Sequence, residues 1–217
     1  MRPNTPHLKK SDWYVDDTSI EEARDLVERF HYSKGASNTR VYVHGLYRKS
    51  DNALLGVAWW LPPTKSCGKK TYPENPQGVL SLSRLVVHPD VPINAATFLM
   101  ASSRKLIDRD RWPCLVTYAD TWRGHDGAIY KADNWQYVGL TKPQKVYVKD
   151  GRMVARKCGP KTRTHTEMLA LGCECLGSFP KHKFVMISKP KKVHTPEQRI
   201  VPYVAIPLFA ACSLERT

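Results

Sequence analysis

No apolar run in the 217 residues approaches the roughly 20 needed for a helical membrane span, so no membrane association is expected. The first residues are polar and carry no apolar stretch of the secretory kind, which points to a cytoplasmic location. No Cys-x-x-Cys pair occurs. Cys173 and Cys175 are closer together than zinc ligands usually stand, and the other cysteines (Cys67, Cys114, Cys158, Cys212) are scattered. Without a secretion signal, a disulfide framework is not expected in a chain of this size. The thiols are expected to be reduced, with Cys173 and Cys175 packing in the core. There is no internal repeat. Acidic residues are scarce, 20 against 34 Lys and Arg, leaving a formal charge of +14.

What is present is a globular composition, 41% hydrophobic and 25% charged, long enough for one domain with a sizeable core. The charge is localised. Between Lys142 and Lys192 stand thirteen Lys and Arg and only three acids, Asp150, Glu167 and Glu174, so this segment supplies +10 of the +14. A polyanionic partner, nucleic acid first, is one reading; a solvated basic surface is the other.

Residues 1–17 read as a polar tail. Thr18 with Glu21 forms a capping-box pattern opening a helix over 18–31, and Gly35 suits a left-handed stop. Segments 40–47 and 54–61 read as a hairpin, and 64–77 as a loop. Val79–Val87 is a strong strand whose alternation changes phase near Ser83-Arg84, as at a β-bulge or in a strand buried on both faces. Asn94 caps a helix over 94–109. A short strand over 114–119 follows, then a helix over 126–134 and a strand over 137–141. Lys149-Asp150-Gly151-Arg152 turns a second hairpin, 165–176 has helical spacing, and 183–188 is a last strand. Residues 189–217 read as an extension packing back on the domain. The order is that of an α+β fold.

Four groups stand out: His31-Tyr32-Ser33 at a helix end, Arg84 inside an apolar strand, Asp120 just past a strand end, and Gly124-His125-x-Gly127-x-Ile129-Tyr130 in a loop and short helix. Each also has a structural reading. His31 suits a helix C-terminus, Tyr130 suits a core with its hydroxyl satisfied, and Arg84 with Asp120 suits a buried ion pair, since a buried guanidinium needs an anionic partner. Polar groups at strand ends nevertheless commonly line ligand crevices.

The strand-helix step over 79–109 resembles the acetyl-coenzyme A site of the GCN5-related N-acetyltransferase fold, in which a helix N-terminus receives the pyrophosphate. The resemblance implies a single α+β domain over 18–188, a mixed, mostly antiparallel sheet flanked by helices. It implies donor contacts at Val87, Asn94, Ala95, Ala96 and Thr97. The family's glycine-rich loop is replaced by Asp90-Val91-Pro92-Ile93-Asn94-Ala95-Ala96, where Pro92 removes one N–H donor.

Taken together, His31-Tyr32-Ser33-Lys34, Leu82-Ser83-Arg84-Leu85, Tyr118-Ala119-Asp120 and Gly124-His125 through Asn134 resemble the phage Mom family of DNA-modification proteins. The hairpin Tyr147–Lys157 and Lys181-His182-Lys183-Phe184 share the likeness. The resemblance implies an enzyme of the host cytoplasm that converts adenine N6 in double-stranded DNA to a carbamoylmethyl amine and so blocks restriction. His31, Tyr32, Arg84, Asp120 and Tyr130 are then catalytic. Ser33, His125, Lys149, Arg152, Arg156 and Lys157 then bind substrate. The donor is acetyl-CoA or a relative of it. Transfer from a thioester would give an N-acyl adenine, so attachment through a methylene implies unusual activation. The family's link to iron makes His31 and Asp120 the metal candidates, with His125 a third. An acetyltransferase acting on a protein or small-molecule amine explains the element order but not the localised charge. A DNA-binding protein without catalysis leaves the strand-end groups unexplained.

Overall fold

The computed structural model describes residues 5–35, 37–158 and 161–188, so the extension 189–217 lies outside the described residues. The elements in chain order are β1 (Trp13–Asp17), α1 (Ile20–Phe30), β2 (Tyr42–Arg48), β3 (Ala53–Leu61), α2 (Lys65–Thr71), β4 (Val79–Val87), α3 (Ala95–Ser103), β5 (Cys114–Asp120), α4 (Ala128–Ala132), β6 (Gln136–Leu140), β7 (Gln144–Lys149), β8 (Arg152–Met153), β9 (Lys157–Cys158), β10 (Lys161–Thr162), α5 (His165–Ala170), β11 (Glu174–Phe179) and β12 (Lys181–Ile187).

A seven-stranded sheet runs in the order β1-β2-β3-β4-β5-β12-β6, and a separate three-stranded sheet in the order β11-β7-β8. Among the described residues of the large sheet only β4 and β5 pair in parallel, over Val79–Ser81 against Cys114–Val116. Beyond that stretch the two strands part.

Both faces of the large sheet are covered. On one face, Ala23, Leu26 and Val27 of α1 pack against Val43, Val57, Trp59 and Val86. Each buried Val or Leu side chain of this layer contributes about 1.5–3 kcal/mol. On the other, Leu99 and Met100 of α3 join Ala58, Trp60, Leu80, Leu82, Leu115 and Phe184. Among the described residues Cys67, Cys114, Cys173 and Cys175 are free thiols, and Cys173 packs with Tyr147 and Met168 as expected.

The phase change in β4 is a bulge. Trp59 pairs with Arg84 and Trp60 with Leu82, leaving Ser83 as the extra residue. Before it Leu80 and Leu82 face α3; after it Leu85 and Val87 do, and Val86 faces α1. The extra residue therefore turns Arg84 onto the α1 face of the sheet.

Several local expectations are corrected. Trp13–Asp17, inside the expected tail, forms β1 and pairs with β2. Ser19, not Thr18, caps α1, with Glu22 as its partner. The positive φ after α1 falls on Lys34, not Gly35. The expected loop 64–77 contains α2, capped by the Thr64 side chain. Asn94 precedes α3 with φ 71° but makes no side-chain cap; its amide bonds His7 Nδ1 at 3.0 Å. The α3 helix ends at Ser103, since Arg104 closes it against Met100. The helix expected to 176 ends at Ala170, and Glu174–Phe179 is a strand.

Candidate functional site

The parting of β4 and β5 opens a cleft of about 540 Å³ lined by His31, Tyr32, Ser83, Val87, Ala96, Tyr118, His125 and Tyr130, among others. Strand parity decides which groups meet there. Tyr118 and Asp120 lie on the α1 face of β5, and Thr117 and Ala119 on the α3 face, because alternate residues point to opposite faces. His31, Tyr32 and Arg84 approach Asp120 from the α1 side. Tyr130, on α4, packs against Phe184 at 5.2 Å and Trp135 at 6.0 Å on the other side.

Asp120 is 4% exposed. One carboxylate oxygen accepts the Tyr32 hydroxyl, and the other pairs with Lys181 Nζ at 2.7 Å. Lys181 stands directly opposite Asp120 in the β12–β5 register. Arg84, for which Asp120 is one partner offered by the sequence, donates instead from Nε to the Gly35 carbonyl at 2.9 Å and from Nη1 to the Ser83 carbonyl at 2.7 Å. It thereby ties the segment after His31 to the bulge. Burial lowers the Arg84 pKa, with the charges of Tyr32 and Asp120 opposing that shift.

His31 is buried, and its Nδ1 meets Ser33 Oγ at 2.8 Å. Burial first, then the neighbouring Arg84 charge, pushes its pKa down to about 4, so the ring is neutral at pH 7. Burial and the Asp120 carboxylate push the Tyr32 hydroxyl well above its ordinary range, so it acts as a donor at neutral pH. Burial raises Tyr130 as well. The rings of His31 and Tyr32 stand 4.3 Å apart, and Tyr32 meets the edges of His125 and Trp122 at 5.5 and 6.0 Å.

A second cleft, about 630 Å³, lies between this end of the large sheet and the small one. Its lining includes Asp120, Trp122, Lys145, Tyr147, Arg156, Lys157, Phe179 and Lys181. Asp120 thus stands on a wall shared with the His31–Tyr32 cleft, since its partner Tyr32 lines that one.

Of the residues named from sequence, His31, Tyr32, His125, Tyr130, Val87 and Ala96 line the first cleft, and Arg156 and Lys157 the second. Arg84 and Asp120 adjoin Tyr32. Ser33 holds His31 rather than facing the cleft. Ala95 is in the core, and Asn94 turns to His7. Thr97 lies one residue beyond Ala96 in the first turn of α3. Lys149 is spent on the Leu171 carbonyl at 2.7 Å, and Arg152 sits at the hairpin tip. Lys181 and Trp122 were missed. Lys181 carried a signal in its family-like run of residues, but its partner became visible only through register.

A description of the Mom protein family matches residues 12–203. The chain belongs to the Mom protein family. The match takes in every group of this site. The methylcarbamoylase mom of Escherichia phage Mu is 29% identical over 133 residues, which is 58% of this Mom-family chain and 53% of the relative. The match therefore spans about half the length of that relative. The fold is that of N-acetyltransferases. The ribosomal-protein-S18-alanine N-acetyltransferase of Escherichia coli superposes with TM-score 0.51 at 10% identity, over 83% of this chain and 97% of that one. A Bacillus subtilis acetyltransferase crystallised with CoA gives TM-score 0.51 at 7% identity, over 82% and 99%.

The residues present do not fit an iron centre. Among the described residues no group of three His, Cys, Asp or Glu is placed to hold a metal ion. His31 Nδ1 is engaged with Ser33, one Asp120 oxygen accepts the Tyr32 hydroxyl, and the other faces the Lys181 ammonium, a cation that would repel a metal ion there. They do fit an extended CoA-like arm. The parted strands leave backbone open to the first cleft, and Ala96 lines it at the start of α3, where N–H groups lack intrahelical acceptors. Among the described residues no helix is long and apolar enough to cross a membrane.

Proposed function

We propose that this Mom-family chain is a transferase that modifies adenine N6 in duplex DNA, of the methylcarbamoylase class named for its phage Mu relative, and so protects phage DNA from restriction in the host cytoplasm. The observation that carries the reading is the position of Tyr32–Asp120 between two clefts. One reaches α3; the other is lined by Lys145, Arg156, Lys157 and Lys181. A CoA-linked donor in the first cleft would supply the carbon group to be transferred.

Adenine N6 is a poor nucleophile, because its lone pair is delocalised into the ring, and a stacked base hides it. The base must leave the duplex. Asp120 is the buried carboxylate that would accept an N6 proton, and Tyr32 orients it by donating to it. Neutral His31 is a second proton acceptor at the same wall, and Ser33 fixes its ring. Arg84 holds the His31–Gly35 turn against the bulge. Tyr130 closes the far side of the cleft.

Nucleoside mass spectrometry of DNA from cells expressing the protein tests the reading. A modified adenine is expected, and it should fall at least tenfold in Asp120→Ala and Arg84→Ala. An unmodified adenine pool in cells holding folded wild-type protein would overturn it. Acetylation of protein or small-molecule amines without DNA would then favour the acetyltransferase reading that the fold also accommodates.

A further inference from the structure

One oxygen of Asp120 accepts the Tyr32 hydroxyl; the other is buried, makes no hydrogen bond among the described residues, and is covered by the Lys181 ammonium at 2.7 Å, so a base reaches it only where Lys181 gives way. Tyr32 is held between the His31, Trp122 and His125 rings. Lys181 is different. Its side chain is 38% exposed, it reaches Asp120 on a flexible four-carbon stem, and it lines the second cleft. That cleft holds Lys145, Arg156 and Lys157 besides, and Asp120 is the single carboxylate among the described residues lining it. A polyanion entering the cleft meets four cations, and one of them is the group that covers Asp120.

We propose that Lys181 is a gate on Asp120. In the free protein its ammonium pairs with Asp120 Oδ1. When a DNA phosphodiester occupies the basic cleft, Lys181 transfers to the phosphate and Oδ1 is uncovered for the base. No bond is made or broken; one ion pair is exchanged for another. Lys181 is thus a positioning residue that couples substrate binding to exposure of the carboxylate. The inference rests on the proposed DNA substrate.

The coupling is reciprocal: whatever holds Lys181 on Asp120 opposes DNA binding, and the converse. It predicts a pattern among variants measured by titration of a fluorescent duplex over a range of salt. Lys181→Met should lower the slope of log K against log[salt] by about one, because one phosphate contact is lost. Asp120→Asn should tighten duplex binding severalfold, since Lys181 is released without competition. In Asp120→Asn/Lys181→Met that gain should vanish. Plain relief of repulsion between Asp120 and DNA would keep the gain in the double variant, and that result overturns the gate. So does an unchanged salt slope in Lys181→Met, a readout that does not depend on the Asp120 variants folding. CoA titration is the second arm. Lys181→Met should leave CoA affinity unchanged, and a loss there in place of the loss for DNA would assign Lys181 to the donor's phosphates instead. Wild-type protein without salt-dependent duplex binding would undo the proposed function itself, a result distinct from any of these.

Discussion

At the scale of single residues, the site is built from groups whose ordinary chemistry is altered by burial. His31 carries the clearest consequence. Its folded-state pKa, about 4, lies below the ordinary 6.5. Between those values the unfolded chain binds the proton that the folded ring refuses, so stability rises with pH through this window and is fully present above it. His44, buried between Asp17 and Ser103, shifts in the same direction. Thermal unfolding at pH 5 and pH 7 should show a lower midpoint at pH 5. His31→Gln should narrow that difference; an equal difference in wild type and variant would remove His31 as its source. The sequence made His31, Tyr32 and Asp120 visible as polar groups at element ends. It offered Asp120 as one partner for Arg84, whereas the guanidinium bonds the carbonyls of Gly35 and Ser83, contacts that leave no mark at the level of residue types.

At the scale of elements, the bulge in β4 and the turn into α4 aim the functional side chains. The bulge was legible as a break in alternation, and its effect is to move Arg84 to the α1 face. Gly127 precedes α4 at φ 76°, and a Cβ there would stand 2.2 Å from the buried Phe184 ring. Gly127→Ala should therefore destabilise the fold by about 1–3 kcal/mol from overpacking, with roughly 1 kcal/mol more from the left-handed backbone. It should also misplace Tyr130. Denaturant unfolding checks the first effect, and wild-type stability in the variant would contradict it. The α2 helix escaped sequence reading because Lys65–Thr71 has no apolar stripe. What marks it is the Thr64 cap and the close fit of Gly68 to the Pro76 carbonyl, where a Cβ would lie 2.6 Å away.

At the scale of the whole molecule, the charge asymmetry becomes a place. Residues 144–179 of the basic segment fold largely into the small sheet and the β9–β10 ribbon, β12 joins the large sheet, and Lys145, Arg156, Lys157 and Lys181 line the second cleft. Lys145 and Lys157 are exposed there. Lys145→Ala and Lys157→Ala should each weaken duplex binding to a similar degree across sequences and flatten the salt dependence by about one phosphate contact, leaving base preference intact. Competition between duplexes of different sequence checks this, and a change in base preference would count against a phosphate-binding role.

The sequence by itself determined the α+β class, the hairpins, the break in the alternation of β4, the localised charge and the family-like groups, because alternation, turn residues and motifs are local properties of the chain. Only the tertiary structure decided that Lys181 covers Asp120, that Tyr32 rather than Arg84 bonds its other oxygen, and that the cleft reaching α3 and the basic cleft share one wall. Those relations depend on strand register and on where β4 and β5 part, and both are settled by packing between segments far apart in sequence.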